Sequence, residues 1–144
     1  MDEKNRGIAS YNSLLNTLIN DFLKNVIKET EYNDIVPSHG EILEIVYKNG
    51  GRVQIKTICD TLSKQKTTVT EMINRLVQLG YLKKENCTED KRATYVVATE
   101  KAIAYRENFD IISQQLLNKV FKGFSEEEQN EFTRLMLKAI KNFN

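Results

Sequence analysis

The sequence predicts a mainly α-helical chain with one small β-hairpin, arranged as a winged helix-turn-helix between long flanking helices. Three observations predict this fold class. Six segments place apolar residues three or four positions apart, which is the spacing of an amphipathic helix. Between the fourth and fifth segments the pattern changes to two short strand-like runs joined by a polar loop. Pro37 is the only proline, so helices elsewhere can run unbroken.

The length and composition are those of one soluble domain. A chain of 144 residues has the usual size of one compact core, and 40% hydrophobic with 28% charged residues is ordinary for a globular protein. No apolar run approaches the roughly 18 residues of a membrane span, and the N-terminal MDEKNRG lacks the layout of a signal peptide. Cys59, Cys87 and a single histidine, His39, are too few for a zinc cluster. We therefore expect a cytoplasmic protein with no membrane segment, metal site or other cofactor.

The first two helices are predicted before and after a polar stretch at residues 29–34. The first covers residues 8–27, where a helical stripe is formed by Ile8, Tyr11, Leu15, Leu18, Phe22 and Val26. The second begins near Pro37 and is stopped by Asn49-Gly50-Gly51. Two starts compete, because Pro37 suits the first helical position while Ser38-x-x-Glu41 has the pattern of a capping box.

The middle of the chain is predicted to form two shorter helices and the hairpin. A helix from about Gln54 to Leu62 turns Cys59 inward, and a turn follows at residues 63–66. The next helix begins between Gln65 and Thr68, with Thr68-x-x-Glu71 as a candidate cap, and ends at Gly80. Residues 81–85 and 93–97 have strand character, and residues 86–92 form the hairpin loop.

Two further helices complete the chain. One covers residues 100–122, Gly123 ends it, and Ser125-x-x-Glu128 is a capping box for the last helix. The apolar stripes of the long outer helices exceed what the core of so small a module needs. A two-fold dimer is the commonest oligomer, so these stripes predict pairing with a second copy of the chain.

Positive charge is concentrated in the middle third of the sequence. The whole chain has 21 basic and 20 acidic residues and a net charge of +1. Residues 1–51 have 5 basic and 8 acidic groups, residues 52–98 have 9 and 5, and residues 99–144 have 7 and 7. This distribution indicates a local surface for a polyanion, although a mixed-charge solvated face has the same composition.

The fourth predicted helix exposes a face rich in hydrogen-bonding groups. Its buried stripe turns seven polar residues outward: Thr67, Thr68, Thr70, Glu71, Asn74, Arg75 and Gln78. The DNA major groove is about 12 Å wide and admits one helix, and side chains of these types read base edges there. An ordinary solvent-facing surface is the alternative explanation of this face.

The hairpin loop ends in Asp90-x-Arg92, and Lys83 and Lys84 lie on the incoming strand. An arginine on a hairpin tip can enter the minor groove, where the negative potential of DNA is concentrated. We expect Asp90 to hold the Arg92 guanidinium extended by a charge-assisted bond. An acidic turn with a surface ion pair is the alternative.

These features together resemble the MarR family of bacterial transcription regulators. The resemblance covers nearly the whole chain, with the motifs within residues 38–102: Leu62-Ser63, Thr68-Val69-Thr70, Arg75 to Leu82, Glu89-Asp90-Lys91-Arg92, and Ala98-Thr99-Glu100-Lys101-Ala102. The last segment is similar to the family's Leu-Thr-x-x-Gly start of the long dimer helix, from which Ala98 and Ala102 depart.

The resemblance implies a homodimer on a palindromic operator in double-stranded DNA. It implies one domain over residues 1–144, with a DNA-binding lobe at 35–98 and dimerisation helices at 5–30 and 99–144. Residues 66–79 would be the recognition helix and Arg92 the wing arginine. It also implies a repressor whose operator binding is relieved by a small ligand or an oxidant.

The DNA-binding hypothesis assigns a role to each candidate site residue. Base readers are Thr67, Thr68, Thr70, Asn74 and Arg75, phosphate contacts are Gln54, Lys66, Lys83 and Lys84, and Arg92 with Asp90 forms the minor-groove contact. Candidate effector-pocket residues are Tyr11, Phe22, His39 and Tyr47, which are alternatively plain core, interface or helix-start residues. Cys87 is a candidate oxidant sensor because Lys83, Lys84 and Lys91 are near in sequence, and Cys59 is predicted to be a core residue.

Two other classes of function compete with this hypothesis. A winged-helix module that docks on a partner protein would show no specific affinity for duplex DNA. An enzyme is the weakest interpretation, since the sequence has one histidine, no Gly-rich phosphate loop and no recognisable catalytic set.

Overall fold

The computed structural model describes residues 7–144, so residues 5 and 6 of the predicted first dimerisation helix lie outside the described part. Its elements are α1 (Ile8–Lys28), α2 (Pro37–Lys48), β1 (Arg52–Gln54), α3 (Ile55–Leu62), α4 (Lys66–Gln78), β2 (Leu82–Asn86), β3 (Thr94–Ala98), α5 (Glu100–Val120) and α6 (Glu126–Lys141). The six helices and the β2–β3 hairpin confirm the predicted fold class. The chain divides after Ile112 into two compact units. None of the helices in residues 7–144 combines the length and apolar character that a membrane crossing requires.

The sheet has a third strand that the sequence did not predict. Its order is β1-β3-β2, and both pairings are antiparallel. Residues 52–54 form this strand and pair with residues 95–97. The helix that was expected to begin at about Gln54 therefore begins one residue later, at Ile55. Gly50 and Gly51 have positive φ angles, which reverse the chain after α2 so that β1 lies beside β3. A three-residue strand is too short to show an alternating pattern, and its partner is more than 40 residues away.

Of the two competing starts of α2, the structure has the one with Pro37 at the first helical position and not the one capped by Ser38. Pro37 is the first helical residue, because its fixed φ angle suits that position and it lacks an N–H that needs a partner. The free N–H of Val36 donates to Nδ1 of His39 at 3.3 Å. Glu41, the other half of the expected capping box, instead accepts a hydrogen bond from Lys64 Nζ at 2.9 Å.

The core of the first unit lies under α4 and between α2 and the sheet. Val69, Ile73 and Leu76 of α4 are fully buried, as the stripe predicted. Helix α4 begins at Lys66, so Thr68 lies inside its first turn and is not the cap. The other fully buried apolar residues are Ile42, Leu43, Val46, Ile58, Tyr81, Leu82, Val96, Ala102 and Tyr105.

One carboxylate connects the loop before α2, the end of α4 and the start of α5. Asp34 accepts hydrogen bonds from the Tyr81 hydroxyl at 2.8 Å and from Lys101 Nζ at 3.1 Å. Lys101 also donates to the carbonyl of Leu79 at 2.8 Å and lies 4.3 Å from the centre of the Tyr81 ring. Burial acts to raise the pKa of Asp34, but the two hydrogen bonds, the charge of Lys101 and a backbone hydrogen bond together hold that pKa below its usual value. Ala102 is fully buried in the first turn of α5, and its backbone carbonyl accepts a hydrogen bond from the Tyr47 hydroxyl at 2.5 Å.

The second unit carries the predicted capping box and a largely exposed helix. Ser125 Oγ accepts from the Glu128 N–H at 3.1 Å, and Glu128 accepts from the Ser125 N–H at 2.9 Å. Phe121, Phe124 and Phe132 pack edge to face, with ring centres 5.4 to 6.0 Å apart. Helix α6 nevertheless has no buried residue, and its exposed apolar side chains are Leu135, Met136, Leu137 and Ile140.

Candidate nucleic-acid interface

An open groove of about 880 Å³ lies between helices α3 and α4 and the β2–β3 hairpin. Six predicted DNA-contacting residues line it together: Gln54, Lys66, Thr70, Lys84, Asp90 and Arg92. The three basic residues among them come from α4, β2 and the hairpin loop, so the fold collects positive charge from separate segments. The groove therefore has the charge and polarity that a phosphate backbone requires.

The burial of one face of α4 decides where its polar residues lie. Because Val69, Ile73 and Leu76 face the core, the helical repeat places Thr67, Asn74, Glu71 and Gln78 on the opposite, exposed face. Thr70 and Lys66 lie on the flank that lines the groove. Thr68 and Arg75 are exposed on the other flank.

Hydrogen bonds orient two amide side chains on the exposed face of α4. Lys84 Nζ donates to Asn74 Oδ1 at 2.5 Å, which connects the hairpin with the helix. Arg75 Nη1 donates to Gln78 Oε1 at 3.4 Å. Both amide oxygens are thus engaged by cationic donors, and both hydrogen bonds lie at the exposed surface.

The expected bond between Asp90 and the Arg92 guanidinium is absent from the described residues. Asp90 Oδ1 instead accepts from the backbone N–H of Arg92 at 2.9 Å, and the Asp90 carbonyl accepts from the Ala93 N–H at 3.1 Å. A short carboxylate two residues before an N–H readily closes such an Asx turn. Asp90 therefore shapes the backbone of the loop and leaves the exposed Arg92 guanidinium available for another anion.

Lys83 and Lys84 lie on opposite faces of strand β2, because successive side chains of a strand alternate. Lys84 lines the groove. Lys83 is not among the lining residues, and its Nζ lies 3.9 Å from the Glu85 carboxylate, which also contacts Arg52 at 3.4 Å. Of the two lysines, the structure brings only Lys84 to the other candidate residues.

Six groove residues were not among the predicted DNA contacts, and three of them have hydrogen-bonding side chains of the kind that contacts DNA: Lys56, Asn86 and Thr94. Lys56 carried a signal, since it belongs to the basic middle third and lies on the exposed side of α3. Asn86 and Thr94 pair with each other at the end of the hairpin. Their place in the groove depends on the packing of the hairpin beside α3 and α4, for which the sequence has no local signal.

The four candidate effector residues lie in different environments. Tyr11 is 63% exposed on α1, and Phe22 is partly buried on the same helix. Tyr47 is buried, its ring packs edge to face on Phe109 at 5.3 Å, and its hydroxyl donates to the Ala102 carbonyl. His39 is buried at the start of α2. The groove beside α4 is lined by none of these four residues.

Both thiols are partly buried. Cys59 packs against the core, on the side that the stripe predicted, and it also lines the groove beside Lys56. The N–H of Cys87 donates to the Ala93 carbonyl at 3.0 Å across the loop. Residues 7–144 contain no group of three or more His, Cys, Asp or Glu placed to hold a metal ion.

The folded protein is expected to lose stability at acidic pH because His39 is buried. Burial and the nearby Arg75 guanidinium lower the pKa of His39, although Asp34 acts in the opposite direction. The unfolded chain therefore takes up a proton first, so stability should fall as the pH falls through about 6.5 towards the lower folded-state pKa. Urea unfolding midpoints measured between pH 8 and pH 5 check this.

The matched variant for this test is His39→Gln. Its amide oxygen can still accept from the Val36 N–H at this helix position, but it does not titrate. The decline between about pH 7 and pH 5 should be smaller in this variant. An unchanged decline would assign the effect to other groups.

Comparisons with known proteins agree with this geometry. Residues 36–102 match the sequence model of a winged helix DNA-binding domain. A structure described as the MarR protein of Peptoclostridium difficile superposes with a TM-score of 0.87 and 22% identity, over 99% of this chain and 91% of that one. The chain has the MarR fold. It confirms, at the level of the fold, the resemblance predicted from the sequence.

Two other proteins are similar to this MarR-like protein over most of its length. A mutant of MarR from E. coli, solved in complex with operator DNA, superposes with a TM-score of 0.81 and 20% identity, over 96% of this chain and 99% of that one. YwhA of Bacillus subtilis, an uncharacterized HTH-type transcriptional regulator, is 27% identical over 84% of this chain and 91% of its own.

Proposed function

We propose that this chain is a sequence-specific DNA-binding regulator of transcription in the cytoplasm. One observation carries the proposal: Lys66, Lys84 and Arg92, together with the additional Lys56, line one groove beside the exposed polar face of α4. In this function α4 enters the major groove, the groove cations contact phosphates, and Arg92 enters the adjacent minor groove. The solved MarR complex with operator DNA supports the same use of the fold.

A homodimer on a palindromic operator is part of the proposal. Helix α1 exposes Ile8, Tyr11, Leu14 and Leu18, and α6 exposes apolar residues on successive turns. Unpartnered apolar faces of this kind mark protein–protein contact surfaces. A two-fold pair presents two copies of α4, and such a pair requires two related half-sites in the DNA.

The proposal includes the mode of regulation: the chain is a repressor, and a small ligand relieves its binding to DNA. The family resemblance supports it, and Tyr47, one of the four candidate effector residues, packs edge to face on Phe109. Thermal unfolding of the protein in the presence of a panel of small aromatic acids tests for such a ligand, since binding to the folded state raises the melting temperature.

The experiment that tests DNA binding removes the hairpin arginine. Arg92→Ala should weaken binding to a duplex from the chain's own promoter by about 1–3 kcal/mol, roughly 5- to 150-fold, because the minor-groove contact is lost. Fluorescence anisotropy titration measures the change. The matched control is Lys91→Ala, which removes one charge from the same loop but not from the groove. Equal affinities of the Arg92 and Lys91 variants would remove the hairpin arginine from the mechanism.

A further inference from the structure

The exposed face of α4 presents two amides whose oxygens are already engaged. Lys84 Nζ donates to Asn74 Oδ1, and Arg75 Nη1 donates to Gln78 Oε1. An ammonium and a guanidinium can only donate, so the amide atom that faces either of them must be the oxygen. The amino groups of Asn74 and Gln78 are therefore left to face an approaching ligand.

A carboxylate lies beside these amides. Glu71 is exposed three residues before Asn74 and seven before Gln78, spacings that place all three on one face of the helix. Within residues 7–144 the Glu71 carboxylate forms no side-chain hydrogen bond or ion pair, unlike Asn74 and Gln78. This face of α4 thus combines two amide hydrogen-bond donors with one negatively charged hydrogen-bond acceptor.

This arrangement matches one kind of base pair. Guanine presents two acceptors, N7 and O6, in the major groove, and its partner cytosine presents the N4 amino donor. Adenine is read by an asparagine or glutamine that uses its oxygen and its amino group together. An amide whose oxygen is held by a cation cannot complete that pair, because the adenine N6 amino group would meet the positive charge of Lys84 or Arg75.

We propose that Glu71, Asn74 and Gln78 select a G·C base pair in each half-site of the DNA. The amides donate to guanine and Glu71 accepts from cytosine N4. Lys84 is a positioning residue, since it sets the preference by holding the Asn74 oxygen. The inference rests on the proposed function and adds the base that the site requires.

Selection from a duplex library with a randomised centre tests the inference with the full-length protein. The wild-type protein should enrich paired half-sites that share a G·C position. Lys84→Met frees the Asn74 oxygen and should shift that position towards adenine, with a change of about 10-fold or more in the G-to-A ratio. Asn74→Ala should lose the preference for guanine without gaining one for adenine.

Lys83→Met is the matched control, because it removes the same charge from the other face of β2. It should lower overall affinity at most and leave the selected bases unchanged. A wild-type consensus without a shared G·C position, or a Lys84→Met consensus identical to that of Lys83→Met, would overturn the inference and leave the proposed function standing. A wild-type protein that enriches no duplex would overturn the proposed function itself.

Discussion

Affinity for duplex DNA is expected to fall about 10³-fold when monovalent salt rises from 50 to 200 mM. Lys56, Lys66 and Lys84 line the groove as phosphate contacts, while Arg92 enters the minor groove, so the proposed dimer brings about six cations to the phosphates. Each phosphate contact releases counterions, which gives a slope near −5 in a plot of log K against log salt. Anisotropy titrations at several salt concentrations measure it.

One lysine variant assigns this slope to the groove. Lys56→Gln should make the slope less steep by about two units, one for each protomer. Lys48→Gln, at an exposed residue of α2 paired with Glu44 at 2.9 Å, should leave the slope unchanged. A flat plot for the wild-type protein would contradict binding through phosphates.

Charge placed on the exposed face of α6 is expected to abolish dimerisation and operator binding together. Met136→Glu with Ile140→Glu puts two carboxylates one turn apart on a face that is otherwise apolar. A monomer loses the second half-site contact, so affinity should fall by about 10²- to 10⁴-fold. Size-exclusion chromatography with light scattering gives the mass, and anisotropy gives the affinity.

The control for the dimer variant is Lys138→Glu, which changes the net charge equally on the same helix. It should remain dimeric and bind DNA within a few-fold of wild type. Should the Met136 and Ile140 variant stay dimeric, α6 would be excluded as the main contact between copies.

Local signals were enough to predict the helices. Buried residues of α4 follow the predicted stripe, and the Ser125 capping box forms as expected, because both depend on residues within one or two turns. Strand β1 and the orientation of Asp90 were not predictable in this way. The strand depends on a partner more than 40 residues away. The sequence offers Asp90 both the guanidinium and the backbone N–H of Arg92 as donors, and the structure shows the bond to the N–H.

The sequence predicted individual candidate residues, but it did not predict which of them lie together on one surface. The sequence identified cations of α4 and β2 from charge and periodicity, but Lys56 joins them only when α3 packs beside the hairpin. Alternation along β2 separates Lys83 from Lys84, and a strand pattern alone does not say which of the two faces the helix.

Asp34 links the C-terminal end of α4 to the first turn of α5, because one carboxylate oxygen accepts from the Tyr81 hydroxyl and the other from Lys101 Nζ. Moving either segment alone breaks one of these hydrogen bonds. In the proposed function, a ligand that shifts the first turn of α5 would therefore also shift the end of α4, and with it the angle at which that helix meets DNA.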